Sequence, residues 1–206
     1  MEDNLNRMGK DSQCAVIVAH PDDETLWCGG LILMHPDVKW TVVTLCRRND
    51  TDRFRKFHKV MKKLGAAGVM GDLDDGPEQI PLDLHEVRCA ISELLPSESF
   101  DYIITHCPDG EYTRHRRHEE VGKAVFSLWK DEKLFAKELW QFAYKDNGGQ
   151  TKPHPIQNAD LKIKLPKDIW QTKYEIITNI YGFAPHGFEA KAVTKEEAFW
   201  QFRVGC

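Results

Sequence analysis

The stretch Cys14-Ala-Val-Ile-Val-Ala-His-Pro-Asp-Asp-Glu24 decides how the rest of the chain is read. Cys14–Ala19 is a short, continuous apolar run rich in β-branched residues, which predicts a strand buried on both faces, as in a parallel sheet. His20–Glu24 follows as a polar turn. Thr25–Met34 reads as a helix despite Gly29-Gly30, a pair that would permit close packing beneath a site. Trp40–Leu45 is a second strand of the same type, followed by the polar loop Arg47–Thr51. Further out the pattern repeats. Asp52–Leu64 places Phe54, Phe57, Val60, Met61 and Leu64 on one helical face, and Gly65 is its C-cap. Ala66–Met70, Phe100–Thr105 and Leu139–Tyr144 read as strands, and Leu82–Leu95 and Glu119–Lys130 as helices. Strands alternating with helices over 14–144 predict an α/β architecture, a mostly parallel sheet with helices on both faces. Beyond it come a polar turn region over Lys145–Pro155, a last helix over Asp168–Tyr181, and an aromatic, irregular remainder over Gly182–Cys206. The expectation is one domain over residues 1–206, with 1–13 as a disordered or extended N-terminal segment.

Composition narrows the class. With 206 residues the chain is long enough to bury a sizeable core. Lys+Arg 28 against Asp+Glu 32 gives a net charge of −4, which argues against nucleic acid held by bulk charge. Apolar runs such as Leu31–Met34 are far too short to span a bilayer. Met1–Gln13 is polar throughout, so no secretory leader is expected. The cysteines at 14, 28, 46, 89, 107 and 206 form no CxxC pair, which removes zinc-finger spacing and makes a reducing cytoplasm the simplest setting.

Ligands of open α/β sheets sit at the carboxyl ends of the strands. Three polar clusters fall there: His20–Glu24, Arg47–Asp50 and His106–His118. The first and third would meet if their strands were neighbours. His20 and Asp23, three residues apart on a turn, offer an imidazole and a carboxylate that both suit Zn²⁺. His115 and His118 lie on one face of a helix start, and one of them can be a third ligand, leaving a position open for water. Asp22 is then placed to take a proton from that metal-bound water. The remaining histidine would face a carbonyl oxygen. These residues point to metal-assisted hydrolysis at an acyl carbon.

The run Ala19-His-Pro-Asp-Asp-Glu24, with Gly110-Glu-Tyr112 and His115-x-x-His118 after it, resembles the PIG-L/LmbE family of zinc-dependent N-deacetylases over roughly 14–128. The resemblance implies a Rossmann-like fold and one zinc ion, held by His20, Asp23 and His118. It implies Asp22 as general base and His115 as the group that polarises the carbonyl. It also implies a small-molecule substrate, an N-acetylglucosamine-type sugar or sugar conjugate, with an amidase on a non-sugar N-acyl compound or a non-catalytic binding module as the alternatives.

Less firmly, it matches Arg53 to a position that binds substrate oxygens or an acetate leaving group. Lys56 stands where many members have a glutamate. Asp75-Gly76 matches a sugar-hydroxyl site, with Asp72 and Asp74 as rivals in the same loop. Arg116 and Arg117 stand where a proline and an aspartate are common between the two histidines, with Arg114 just before; they mark an anionic substrate, or else at least two of the three face solvent. Trp170 and Trp200 are candidates for stacking on a sugar ring, though core positions are the commoner use. Lys173 is a candidate substrate contact, His106 a candidate support for the metal ligands, and Cys107 a bystander. A homo-oligomer and Fe²⁺ or Co²⁺ in place of zinc remain compatible with the sequence.

Overall fold

The computed structural model describes residues 8–113 and 115–203. Residues 1–7 of the expected N-terminal segment, Arg114 and Cys206 lie outside the described residues. Five strands, β1 (Gln13–Val18), β2 (Lys39–Cys46), β3 (Ala67–Leu73), β4 (Ser99–Thr105) and β5 (Phe135–Phe142), run parallel. Between them lie α1 (Asp23–Met34), α2 (Thr51–Leu64), α3 (Leu84–Leu94) and α4 (Arg116–Lys130). A short ribbon follows, β6 (Tyr144–Lys145) with β7 (His154–Pro155), and then β8 (Leu161–Lys164). The chain continues through α5 (Lys167–Glu175), a π-helical turn over Ile176–Ile180, α6 (Phe188–Ala192) and β9 (Glu196–Arg203). The main sheet has the order β3-β2-β1-β4-β5-β9-β8, with β9 antiparallel to both its neighbours.

Alternate residues of the central strands feed two cores. Cys14, Val16 and Val18 of β1 face Trp27, Phe57, Val60 and Ile176. Ala15, Ile17 and Ala19 face Val87, Ile91, Val121 and Val125. Helices therefore cover both faces, and β1 is apolar from Cys14 onward because neither side meets water there. Phe54 and Leu84, in the first turns of α2 and α3, stay exposed and outside the faces expected of them.

Two expectations about the C-terminal third fail. Gly182–Cys206 is not irregular: it holds α6 and β9. The polar turn region expected over Lys145–Pro155 is spanned by the β6–β7 ribbon, and β8 lies in the stretch after it, for which the sequence gives no element. In β8, Leu161 and Ile163 are buried while Lys162 and Lys164 are exposed, a two-residue alternation too short to stand out in the sequence. The glycine pair of α1 does permit close packing. A Cβ on Gly30 would lie 2.4 Å from Leu165 Cδ2. The amides of Gly30 and Leu31 donate to the buried Glu197 carboxylate of β9, each at 2.8 Å, and Lys173 Nζ pairs with Glu197 at 2.6 Å. Lys173 is thus a buried partner of Glu197, and this corrects its reading as a substrate contact.

Candidate active site and metal centre

The strand order reverses between β1 and β4, which are direct neighbours. The crevice outside such a switch point is where α/β sheets bind ligands. The loops leaving these two strands bring together His20–Glu24 and His106–His118, the first and third polar clusters. His115 is the N-cap of α4, and His118 lies in its first turn. One turn further on, a Cβ on Gly122 would meet the His106 carbonyl oxygen at 2.6 Å, so only glycine lets α4 approach this loop. That approach stacks the His118 and His106 rings, with centroids 4.0 Å apart.

Asp23 sits at the middle of the histidines. Its Oδ2 lies 3.2 Å from His20 Nδ1, 3.3 Å from His118 Nε2 and 3.4 Å from His106 Nε2, and it accepts the His20 backbone N–H at 2.9 Å. Trp27 Nε1 donates to the other oxygen at 3.2 Å. Burial alone would raise the Asp23 pKa, but the His118 charge and the surrounding imidazole contacts outweigh it and hold the carboxyl well below its usual range. The rings of His20, His115 and His118 cluster, with centroids 4.3 to 5.4 Å apart.

Glu111 fixes the tautomers. Its Oε2 receives His106 Nδ1 at 2.9 Å and His118 Nδ1 at 2.7 Å, and its Oε1 accepts the Cys107 N–H. The Ala19 N–H donates to His106 Nε2 at 3.0 Å, so that nitrogen carries a lone pair. With Nδ1–H committed to Glu111, His118 Nε2 faces Asp23 Oδ2; burial would lower the pKa of this ring, but the Asp23 and Glu111 carboxylates outweigh it and raise it. His115 Nδ1 is buried without a hydrogen-bond partner, and His20 Nε2 has the Asp75 carboxylate alone beside it, at 3.3 Å. A carboxylate oxygen ringed by imidazole nitrogens, with the unpartnered His115 nitrogen nearby, is a donor set that suits a divalent cation, which would displace the imidazole protons on binding. The donor atoms of His20, His115 and His118 lie within 4.8 Å of one another, as do those of Asp23, His106 and His118.

Asp22 is the N-cap of α1, yet its carboxylate makes no capping bond. It points to Arg53 Nη1, 3.1 Å away. Burial and the adjacent Asp23 push the Asp22 pKa up to about 8, while Arg53 and His20 pull against them. Burial, then the charges of His118 and His20, pushes His115 down to about 3, so it stands as a neutral imidazole. Asp75 reaches His20 Nε2 at 3.3 Å and pairs with Arg47 at 2.5 Å. His20, Asp22, Asp23, Arg53, Asp75 and His115 line a pocket of about 290 Å³. Its other walls include Arg47, Tyr112, Phe183 and Phe188.

The structure separates the rivals in the acidic loop, because Asp72 bonds Asn49 and Asp74 bonds Arg117, while Asp75 faces the pocket. Arg117 does not face solvent and does not line the pocket: it is buried and holds the Asp74 and Ile80 carbonyls and Glu120. Arg116 is exposed. Lys56 pairs with Asp52 at 2.6 Å. Trp170 and Trp200 line other clefts, and the aromatic faces at the pocket are Tyr112, Phe183 and Phe188 instead. His106 is where support for the ligands was expected. Burial pushes the Cys107 thiol up to about 11, in keeping with a bystander. Sequence reasoning gave Glu111 no role, although it lies within the quoted Gly110-Glu-Tyr motif. Phe183 and Phe188 carried no local signal, since only tertiary packing brings them to the site.

Known proteins share this architecture. N,N'-diacetylchitobiose deacetylase from Pyrococcus horikoshii superposes with a TM-score of 0.73 over 98% of this chain and 88% of its own, at 16% identity. The 4-carboxy-2-hydroxymuconate hydratase GalB from Pseudomonas putida superposes with a TM-score of 0.61 over 92% and 95%, at 15% identity. One fold therefore serves a deacetylase and a hydratase, and it does not choose the reaction here. In sequence, uncharacterized protein L374 of Acanthamoeba polyphaga mimivirus is 22% identical over 185 residues, covering 83% of this chain and 76% of that protein. The profile of one family, described as PIG-L, GlcNAc-PI de-N-acetylase, matches residues 15–129, more than half of the chain, and the protein belongs to that family.

Proposed function

We propose that the protein is a zinc-dependent N-deacetylase that removes the acetyl group from an N-acetylglucosamine-type sugar or conjugate. The observation that carries this reading is the convergence of His20, Asp22, Asp23, His115 and His118 at one switch-point pocket, in a member of the PIG-L family. His20, Asp23 and His118 would hold the ion. When bound, zinc supplies Lewis acidity toward water and the amide carbonyl. Asp22 takes the proton of the attacking water and returns it to the leaving amine. A raised pKa suits both halves of that task, since the group must also act as an acid. His115, neutral, offers a ring N–H to the carbonyl oxygen as it gains negative charge. Arg53 orients the Asp22 carboxylate and reaches the pocket, where substrate oxygens or the departing acetate would lie. Asp75 is placed to accept hydrogen bonds from sugar hydroxyls.

No described helix is long and apolar enough to cross a membrane. The five described cysteines are free, which supports a reducing, cytoplasmic setting. The test is metal analysis of the purified protein joined to an acetate-release screen over N-acetylglucosamine derivatives and non-sugar N-acyl amines. We expect release from the sugar compounds, lost on chelation and restored by zinc. Release confined to the non-sugar amides would make the protein a different amidase, and release that survives chelation would remove the metal from the account.

A further inference from the structure

Asp22 has a backbone that an aspartate does not adopt freely, with φ 123° and ψ −31°. Such a conformation is strained and persists only where its surroundings over-determine it. Two side chains hold it. Glu24 Oε2 accepts the Asp22 N–H at 3.1 Å, and Arg53 Nη1 meets the Asp22 carboxylate while also donating to the Pro21 carbonyl at 3.4 Å. Each of those is held in turn from one short segment far along the chain. Tyr181 OH donates to Glu24 Oε1 at 2.8 Å, and the Phe183 ring lies under the Arg53 guanidinium, 4.8 Å from its centre. Thr25 Oγ1 completes the Glu24 carboxylate at 2.7 Å. Both contacts depend on the π-helical turn before them. The Tyr181 N–H bonds the Ile176 carbonyl five residues back, and the Phe183 N–H bonds that of Ile177. Inserted π turns of this kind are frequent at functional sites.

We propose that the segment Tyr181–Phe183 is a clasp that positions Asp22, with Tyr181 acting through Glu24 on its backbone and Phe183 acting through Arg53 on its carboxylate. Tyr181 and Phe183 lie outside residues 15–129, so the clasp is supplied by a part of the chain that the family match does not reach. They are positioning residues: the effect of Tyr181 on kcat passes through Asp22, and so does that of Phe183, which as a wall of the pocket also touches KM. The inference rests on the deacetylase reading only for its kinetic test, since the held backbone is a structural claim.

The decisive experiment is Tyr181→Phe, which removes one hydroxyl and keeps the buried ring. It is read by crystal structure and by kinetics at saturating zinc. The expected result is an Asp22 φ that leaves the positive region. With it kcat falls about tenfold, the scale of losing a hydrogen bond to a charged group, while KM and zinc content are unchanged. Phe183→Leu should give a smaller fall in kcat, and Phe183→Tyr should restore it. Adding Tyr181→Phe to Asp22→Asn should slow the enzyme no further. An unchanged φ and kcat in Tyr181→Phe, or a full additional loss in the double variant, overturns the clasp. If Tyr181→Phe does not fold, Phe183→Leu carries the same test. A wild-type protein that releases no acetate counts against the deacetylase reading alone, and the Asp22 backbone in the variant crystal still decides this inference.

Discussion

The centre of the sheet and its β8 edge are built by different means. On the β1–β4 side, consecutive residues leave a buried parallel strand straight into the pocket, so His20, Asp22 and Asp23 are a local pattern. On the β8–β9 side, short antiparallel strands and α5 back the same pocket with buried polar groups: Glu197 on the amides of α1, Lys173 on Glu197, Tyr181 on Glu24. The first region supplies chemistry and the second holds it in place. Variants in the first should therefore cost rate and metal, whereas variants in the second should cost stability or geometry.

Asp22→Asn tests the chemical side most strongly. Loss of the general base should lower kcat by about 10³-fold with zinc content intact. A loss of less than about tenfold would move the base elsewhere. On the supporting side, Lys173→Met should leave the Glu197 carboxylate buried without its cation and cost about 3 kcal/mol or more in chemical denaturation, with kcat per folded molecule nearly unchanged. A collapse of activity without loss of stability would erase the distinction between the two regions. Glu111→Gln lies between them. The amide oxygen can take the place of Oε2, but its NH2 would then face the Cys107 N–H and the negative charge beside both imidazoles is lost, so zinc affinity should fall about 10- to 100-fold in competition with a chelator.

The pH profile sharpens the chemical side. Asp22 accepts a proton only when ionised, and burial beside Asp23 raises its pKa to about 8 in the metal-free protein. The rate should rise with pH across neutrality and then level. A bound cation moves the midpoint down without changing the sign. A rate that falls over that range would assign the step to another group. The smallest effect is expected at Trp170, whose Nε1 bonds the Val193 carbonyl away from the pocket: Trp170→Phe should leave KM unchanged.

The same contrast explains what the sequence could disclose. β1 is apolar from Cys14 onward because both its faces are covered, and the HPDDE turn comes right after Ala19, so the strand and the candidate ligands are legible together. Neighbouring β1 and β4 then make the two clusters meet. β8 and β9 were hidden because a four-residue edge strand and a strand mixing Glu197, Ala198 and Trp200 leave little period to read. Arg117 was misjudged because an arginine at a helix start looks solvated until the acidic loop folds over it. Glu111 stood inside a quoted motif, but its purpose depends on two imidazoles from different elements presenting Nδ1 to one oxygen.

The central claim, five side chains around one cation, is tested most directly by metal stoichiometry and affinity. Wild-type protein is expected to bind one zinc ion per chain, His118→Ala and Asp23→Ala to lose it, and Asp22→Asn to retain it. Equal zinc binding in wild type and in His118→Ala, or no zinc in the wild type after reconstitution, would contradict the account.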